Sequence, residues 1–320
     1  MAGVFNGRLN CPEIDLIWNV NHFCTITTAS HLYKVYALAE SLQQFGECTL
    51  HVLVVDAGQQ PAFNGCRFYG LQEIAGTPVA QTIIAKYKGN SNKLRWSLKP
   101  VMLQWLLKQK AIDRVIYLDN DLFFYSAWQF MFELLQTHSL LLTPHYYKHD
   151  PTREQNWFEA NFRVGLYNAG FVGASRQATG TLQWWAESCA YRCEKNAWRG
   201  LFDDQKYLDL VPVMEEKAHV LRHKGCNVAG WNQELCPRIK SGNDVLIDGK
   251  FPVVFIHFNN YTISELLNGT DSLLVPHYER YEAVLKKHKP ALQRSELFSP
   301  QPFSDKLKFT LWKIATDLGL

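Results

Sequence analysis

The stretch Val115-Ile116-Tyr117-Leu118-Asp119-Asn120-Asp121-Leu122-Phe123-Phe124 constrains this chain more than any other. Its first four residues are uncharged strand formers, and two carboxylates follow at i and i+2, where a strand gives way to a loop. A buried strand that ends in two acids sets its charges at the carboxyl edge of a sheet. Ligands bind at that edge in open α/β folds, and paired carboxylates there can hold a divalent cation against phosphates. Taken alone, the motif is equally an Asp-Asn-Asp turn, because both residue types favour turns. The flanking segments decide between the two.

Upstream, His22 to Thr27 reads as a strand, and Leu32, Val35, Leu38, Ala39 and Leu42 recur at helical spacing before Gly46. Leu50 to Val55 is a second strand, again closing on an acid, Asp56. A right-handed crossover makes these two strands parallel neighbours. Phe68 to Leu71 suggests a third strand, and Pro100 is placed to begin a helix carrying Val101, Leu103, Leu106 and Leu107 into the acid-tipped strand. No Gly-x-Gly-x-x-Gly follows the first strand, so a pyrophosphate seated on that helix is not indicated.

Downstream, residues 127–136 read as a helix and Leu140 to Thr143 as a short strand. His145 to Arg163, polar and aromatic, reads as a flexible lid. Tyr167 to Ala174 is a strand whose glycines stand where a ligand or a second backbone comes close. A Trp-rich helix is expected over 177–193, and Asp203-Asp204-Gln205 heads a further helix, where Asp204 has the alternative of being an N-cap. The strand Val253 to Phe258 carries His257 near its end, followed by Asn259 and Asn260.

A hydrophobic content of 47% over 320 residues supports a large core. The net charge of +3 arises from nearly balanced acids and bases, which excludes the footprint of a nucleic-acid binder but leaves room for a small anion. The first fifteen residues lack the basic-then-apolar pattern of a leader, and no segment approaches the roughly 18 apolar residues of a membrane span. A cytoplasmic protein with its eight cysteines as free thiols is expected.

The ordered set Thr25 and Thr27, Asp56, Lys99, Asp119-Asn120-Asp121, Asn168-Ala169-Gly170, Asp204-Gln205 and Ile256-His257-Phe258 resembles the GT-A-fold nucleotide-sugar glycosyltransferases. The likeness spans residues 20–260 and is nearest to family 8, the glycogenin-like and bacterial galactosyltransferase-like enzymes. It implies an α/β fold, a Rossmann-like mixed sheet flanked by helices, over residues 1–288, with a basic amphipathic tail over 289–320. The implied activity is transfer of a hexose from a UDP-sugar with retention of configuration.

By this resemblance Asp119, Asp121 and His257 hold Mn²⁺ or Mg²⁺. Thr25, Thr27 and Asp56 lie where the family binds uracil and ribose, and Asn120 belongs to the nucleotide site. Lys99 faces the donor, while Asn168, Asp204 and Gln205 line the transferred sugar. The chain departs from the family after the histidine, where Asn259-Asn260-Tyr261 replaces Lys-Pro-Trp. The acceptor, a glycan, a lipid-linked sugar or a protein, is bound by loops that vary within the family.

Rival readings are an inverting enzyme, with Asp203 or Asp204 as base, and a nucleotide-sugar-binding partner without catalysis. Lys306, Lys308 and Lys313, interleaved with Leu307, Phe309, Leu311, Trp312 and Ile314, suit peripheral contact with an anionic membrane or docking on the domain.

Overall fold

Burial on both faces is what a central strand of a covered parallel sheet requires. Strand β1 (Asn21–Thr27) meets it from Phe23 onward in the computed structural model, which describes residues 20–56 and 61–298. Helix α1 (Leu32–Gln43) follows and buries Val35, Leu38, Ala39 and Leu42 on one face. Strand β2 (Cys48–Val54) then pairs in parallel with β1 along its whole length, and β3 (Cys66–Tyr69) extends the sheet outward, also parallel.

After the short helix α2 (Ser91–Ser97), α3 (Lys99–Leu107) has almost no exposed residue, as its apolar composition on all sides demands. It feeds β4 (Arg114–Leu118), which ends one residue before Asp119. The remaining sheet strands are β6 (Leu140–Pro144), β7 (Tyr167–Ser175) and β8 (Ala218–Val220), with β5 (Leu122–Phe124) lying apart in a two-stranded ribbon. The seven-stranded order is β8-β6-β7-β4-β1-β2-β3. All neighbours are parallel except β7, which runs antiparallel to both β4 and β6. The result is the mixed, helix-flanked Rossmann-like sheet expected from the sequence.

That reversal positions the site. Because β7 runs backwards, its first residues lie at the carboxyl edge of β4, and the Asp119 N–H donates to the Gly170 carbonyl at 2.8 Å. The second arm of the site comes from β9 (Phe255–His257), which pairs antiparallel with β5 so that His257 stands opposite Leu122. The Phe258 N–H donates to the Asp121 carbonyl at 2.9 Å and closes that corner.

Two expectations need correction. The lid over 145–163 is irregular only in its first half, since Gln155–Arg163 forms helix α4. His145 and Tyr147 are buried, and Lys148 pairs with Glu154 and Glu234. Asp204 heads only a one-turn 3₁₀ segment, Lys206–Leu210, and caps nothing with its side chain. Between β7 and that segment the Trp-rich stretch forms α5 (Thr179–Tyr191).

The late helices α6 (Asn260–Leu267) and α7 (Val275–His288) pack on the β5–β9 ribbon through Phe258, Tyr278 and Tyr281. Packing continues past the expected boundary at 288, where Leu292 and Leu297 are buried in the same cluster. Lys306, Lys308 and Lys313, with the apolar residues between them, lie outside the described residues. No helix among the described residues is long and apolar enough to cross a membrane, and the seven described cysteines are free.

Gly225 tests how the ribbon is held. Its carbonyl accepts from the Val254 and Phe255 N–H groups at 2.8 and 3.2 Å, and a Cβ there would sit 1.8 Å from the Pro252 carbonyl oxygen. Gly225→Ala is expected to cost about 1–3 kcal/mol or more in urea unfolding, because backbone cannot yield as a side chain does. An unchanged midpoint would show that the Pro252 approach is not needed.

Candidate active site

A cleft of about 640 Å³ opens at the carboxyl edge of the sheet, and Asp119, Asp121 and His257 lie on its wall. One ligand atom from each lies within 4.8 Å of the other two. His257 Nε2 is 3.1 Å from Asp121 Oδ1. Two carboxylates and an imidazole form a donor set that suits Mn²⁺ and tolerates Mg²⁺. Gly170 leaves the room such an ion needs: a Cβ there would lie 2.9 Å from Asp119 Oδ2, 2.8 Å from His257 Cε1 and 2.6 Å from Asn168 Oδ1. The residues present therefore fit a divalent cation.

The sequence-derived site residues divide into those that reach this cleft and those that do not. Asn168 does, but its groups are engaged: Oδ1 accepts from the Gly170 N–H at 2.6 Å, and Nδ2 approaches His257 Nδ1 at 3.4 Å. Gln205 lines the cleft too, with Oε1 accepting from the Ala169 N–H at 3.2 Å and Nε2 donating to the Val164 carbonyl at 3.3 Å. Asn120 faces a smaller adjoining cavity and ties its loop to β1 by donating to Thr27 Oγ1 at 2.9 Å. Thr25 and Thr27 are fully buried and touch neither cavity. Asp56 is exposed and accepts from the Ala29 N–H at 2.7 Å, pinning the ends of β1 and β2 together. A ribose contact through these three is not evident in the geometry.

Lys99 differs most from expectation. It is only 3% exposed, and its ammonium sits 3.3 Å from Asp119 Oδ1, 3.1 Å from Asp204 Oδ2 and 3.0 Å from the Ala169 carbonyl. Three contacts exhaust its three N–H donors. Burial opposes the charge, but the two carboxylates outweigh it and hold the Lys99 pKa above the ordinary lysine range. Asp204 is pushed up to about 6 by burial, against the pull of Lys99 and with Asp119 adding to the rise.

Tyr117, which the sequence showed only as a strand residue, donates its hydroxyl to Asp119 Oδ1 at 2.8 Å. Four aromatic residues, Tyr147, Trp157, Tyr261 and Trp231, also line the cleft, with Trp157 and Tyr261 ring centroids 5.1 Å apart. The edge-on Trp231 ring lies 5.4 Å from that of His257. Their separate positions in the chain carried no signal that they would converge.

No model of a known protein family matches the chain. It is 29% identical over 252 residues to the uncharacterized protein YfnF of Bacillus subtilis (strain 168), covering 75% of this chain and 82% of that protein. A second uncharacterized protein of the same organism, YfnD, is 29% identical over 253 residues, covering 76% and 78%. Among solved structures, mouse xyloside xylosyltransferase 1 aligns at 17% identity with a TM-score of 0.48, over 76% of this chain and 98% of that one. The galactosyltransferase LgtC, in complex with donor and acceptor sugar analogs, aligns at 13% with a TM-score of 0.48, over 86% and 99%. None of these partial likenesses assigns a role to a residue of the cleft.

Two outcomes follow from the electrostatics. Burial would lower the His257 pKa, but the Asp121 carboxylate at 3.1 Å outweighs it and raises the pKa above the ordinary histidine value. The proton that Nε2 shares with Asp121 must leave before a cation can bind there. Mn²⁺ affinity is therefore expected to rise between about pH 6 and about pH 8, with proton release visible in calorimetry across buffers of different ionisation enthalpy. Binding without proton release would remove His257 from the ligand set.

Lys99→Met is expected to cost about 3–5 kcal/mol, because it strands Asp119 and Asp204 without a counter-cation. Asp204 then favours protonation still more, so the deficit in urea unfolding should shrink as pH falls from about 7 to about 5. A pH-independent deficit would assign the loss to packing alone.

Proposed function

We propose that the chain is a divalent-metal-dependent glycosyltransferase of the GT-A type. It moves a hexose from a UDP-sugar to a glycan, lipid-linked or protein acceptor, with retention of anomeric configuration. The observation that carries this reading is the convergence of Asp119, Asp121 and His257 on one wall of the cleft, in the motif order that resembles family 8. A cation held by these residues supplies stabilisation of the charge that grows on the departing diphosphate.

The remaining groups do the chain's own share of the work. Asn168 and Gln205 are locked by backbone bonds, so their amides meet sugar hydroxyls without first losing rotamer freedom. Asp204, with a pKa of about 6, is an anion near neutrality and lends negative charge to a sugar with oxocarbenium character. Lys99 is a positioning residue that fixes Asp119 relative to Asp204. The four aromatic residues offer the acceptor an apolar face in the same cleft as the carboxylates.

One observation favours inversion instead. Asp203 is buried on the cleft wall, and burial raises its carboxyl above the ordinary range, while Lys195 lies 3.7 Å away. A base with a raised pKa could take the acceptor's proton. NMR of the product anomer separates the two outcomes.

The function itself is tested by UDP release from a panel of UDP-sugars in Mn²⁺, with water as fallback acceptor. Turnover is expected to vanish in EDTA and to fall at least about 100-fold in Asp121→Ala, with circular dichroism unchanged. Full turnover by that variant, or by the parent in EDTA, would falsify the metal-dependent reading.

A further inference from the structure

A second cavity, of about 920 Å³, lies at the other edge of the sheet and is larger than the catalytic cleft. His22, Thr49 and Arg67 on its wall are the second residues of β1, β2 and β3, so it opens where these strands begin, whereas Asp119 follows the end of β4. Trp105, near the end of α3, and Lys110, just beyond it, line the cavity from the helix side. No described residue lines both this cavity and the cleft.

Strand register places His22, His51, Arg67 and Tyr69 on one face of the sheet, and hydrogen bonds run through them in a line. Arg67 bonds the Tyr69 hydroxyl, that hydroxyl lies 2.8 Å from His51 Nδ1, and His51 Nε2 lies 3.1 Å from His22 Nδ1. A guanidinium only donates, so the Tyr69 oxygen accepts from Arg67 and is left with its own proton to give to His51 Nδ1. Burial, with the His22 and Arg67 charges adding, pushes His51 down to about 3, so the ring is neutral and carries its one proton on Nε2. His22 accepts that bond at Nδ1 and keeps its own proton on Nε2, which makes the line end at the cavity wall as a donor.

Charge at this cavity is of one sign. Arg67 and Lys110 are exposed, and no carboxylate is among the described residues that line it. Two cations and an N–H with no anion between them select a negatively charged group. The rings beside them select the rest of the ligand: Trp105 and Tyr69 meet edge to face with centroids 4.8 Å apart, and His51 stacks on Tyr69 at 5.8 Å. A bare inorganic ion has no use for these flat apolar surfaces, and a neutral ring leaves the cations without counter-charge.

We propose that this cavity is a second binding site, for a small organic anion with a flat ring. Arg67, Lys110 and His22 Nε2 hold the charged group, and Trp105 and Tyr69 hold the ring. The site stands apart from the metal-binding wall and does not depend on the glycosyltransferase reading.

The test titrates 2-naphthoate into the full chain, read by calorimetry, beside the neutral 2-naphthamide and inorganic phosphate. The naphthoate is expected to bind at least about tenfold more tightly than either comparator, since only it combines charge and ring. Arg67→Gln and Lys110→Gln are each expected to weaken it about tenfold, the usual loss for a charged hydrogen bond. Both side chains are exposed, so these substitutions leave the core untouched and circular dichroism should not change. Asp121→Ala should bind the naphthoate as the parent does, which a ligand lodged in the catalytic cleft would not. No binding by the parent, equal affinity for the amide or for phosphate, an affinity untouched by both the Arg67 and Lys110 substitutions, or a loss in Asp121→Ala would each overturn the proposal.

Discussion

One ammonium group holds the cleft together. Lys99 reaches from the start of α3 to Asp119 after β4, Ala169 in β7 and Asp204 before the 3₁₀ segment, so a single charge joins four pieces of chain. Each of those anions would be costly to bury alone. Together with the lysine they form an ion-paired network at the cleft, to which Tyr117 adds a hydrogen bond on Asp119. Lys99 and Tyr117 both hold Asp119 through Oδ1, and its Oδ2 faces the space that Gly170 leaves open.

Strand direction provides the other half of the design. A parallel β7 would carry Asn168 and Gly170 to the far edge of the sheet, away from the acids. Running antiparallel, it lays them beside Asp119, and the register Leu118 to Phe171 leaves Gly170 where a side chain would fill the site. The β5–β9 ribbon does the same for His257, which it brings beside Asp121 by pairing residues distant in sequence. Geometry of this kind comes from hydrogen-bond register and not from local preference.

Much of the sheet was legible because its central strands are short apolar runs that end in acids or turn residues, and the helices between them are strongly periodic. The convergence of Asp119, Asp121 and His257 followed from motif order. Other features were hidden for physical reasons. A lysine at a helix start reads as exposed, and only the packing of α3 against α5 and β4 turns Lys99 inward. Thr25 and Thr27 were read as ligand groups, yet strand threonines in a covered sheet are simply buried, as both are here. The stretch Gln155–Arg163 was read as part of an irregular lid, yet it forms α4, whose Trp157 and Ala160 pack with Tyr147 and Trp231 in a small cluster beside the cleft.

The β5–β9 ribbon also fixes when the site comes into being. The acids, their lysine and the glycine that makes room for an ion all leave the ribosome well before His257. All seven strands of the main sheet precede β9 in the chain, whereas β5 finds its partner among the described residues only in β9. Closure waits for β9, and the helices that cover the ribbon follow directly behind it. A chain without β9 would have the two acids but neither the imidazole beside Asp121 nor the strand that β5 pairs with, so the donor set is shared between distant parts of the described chain.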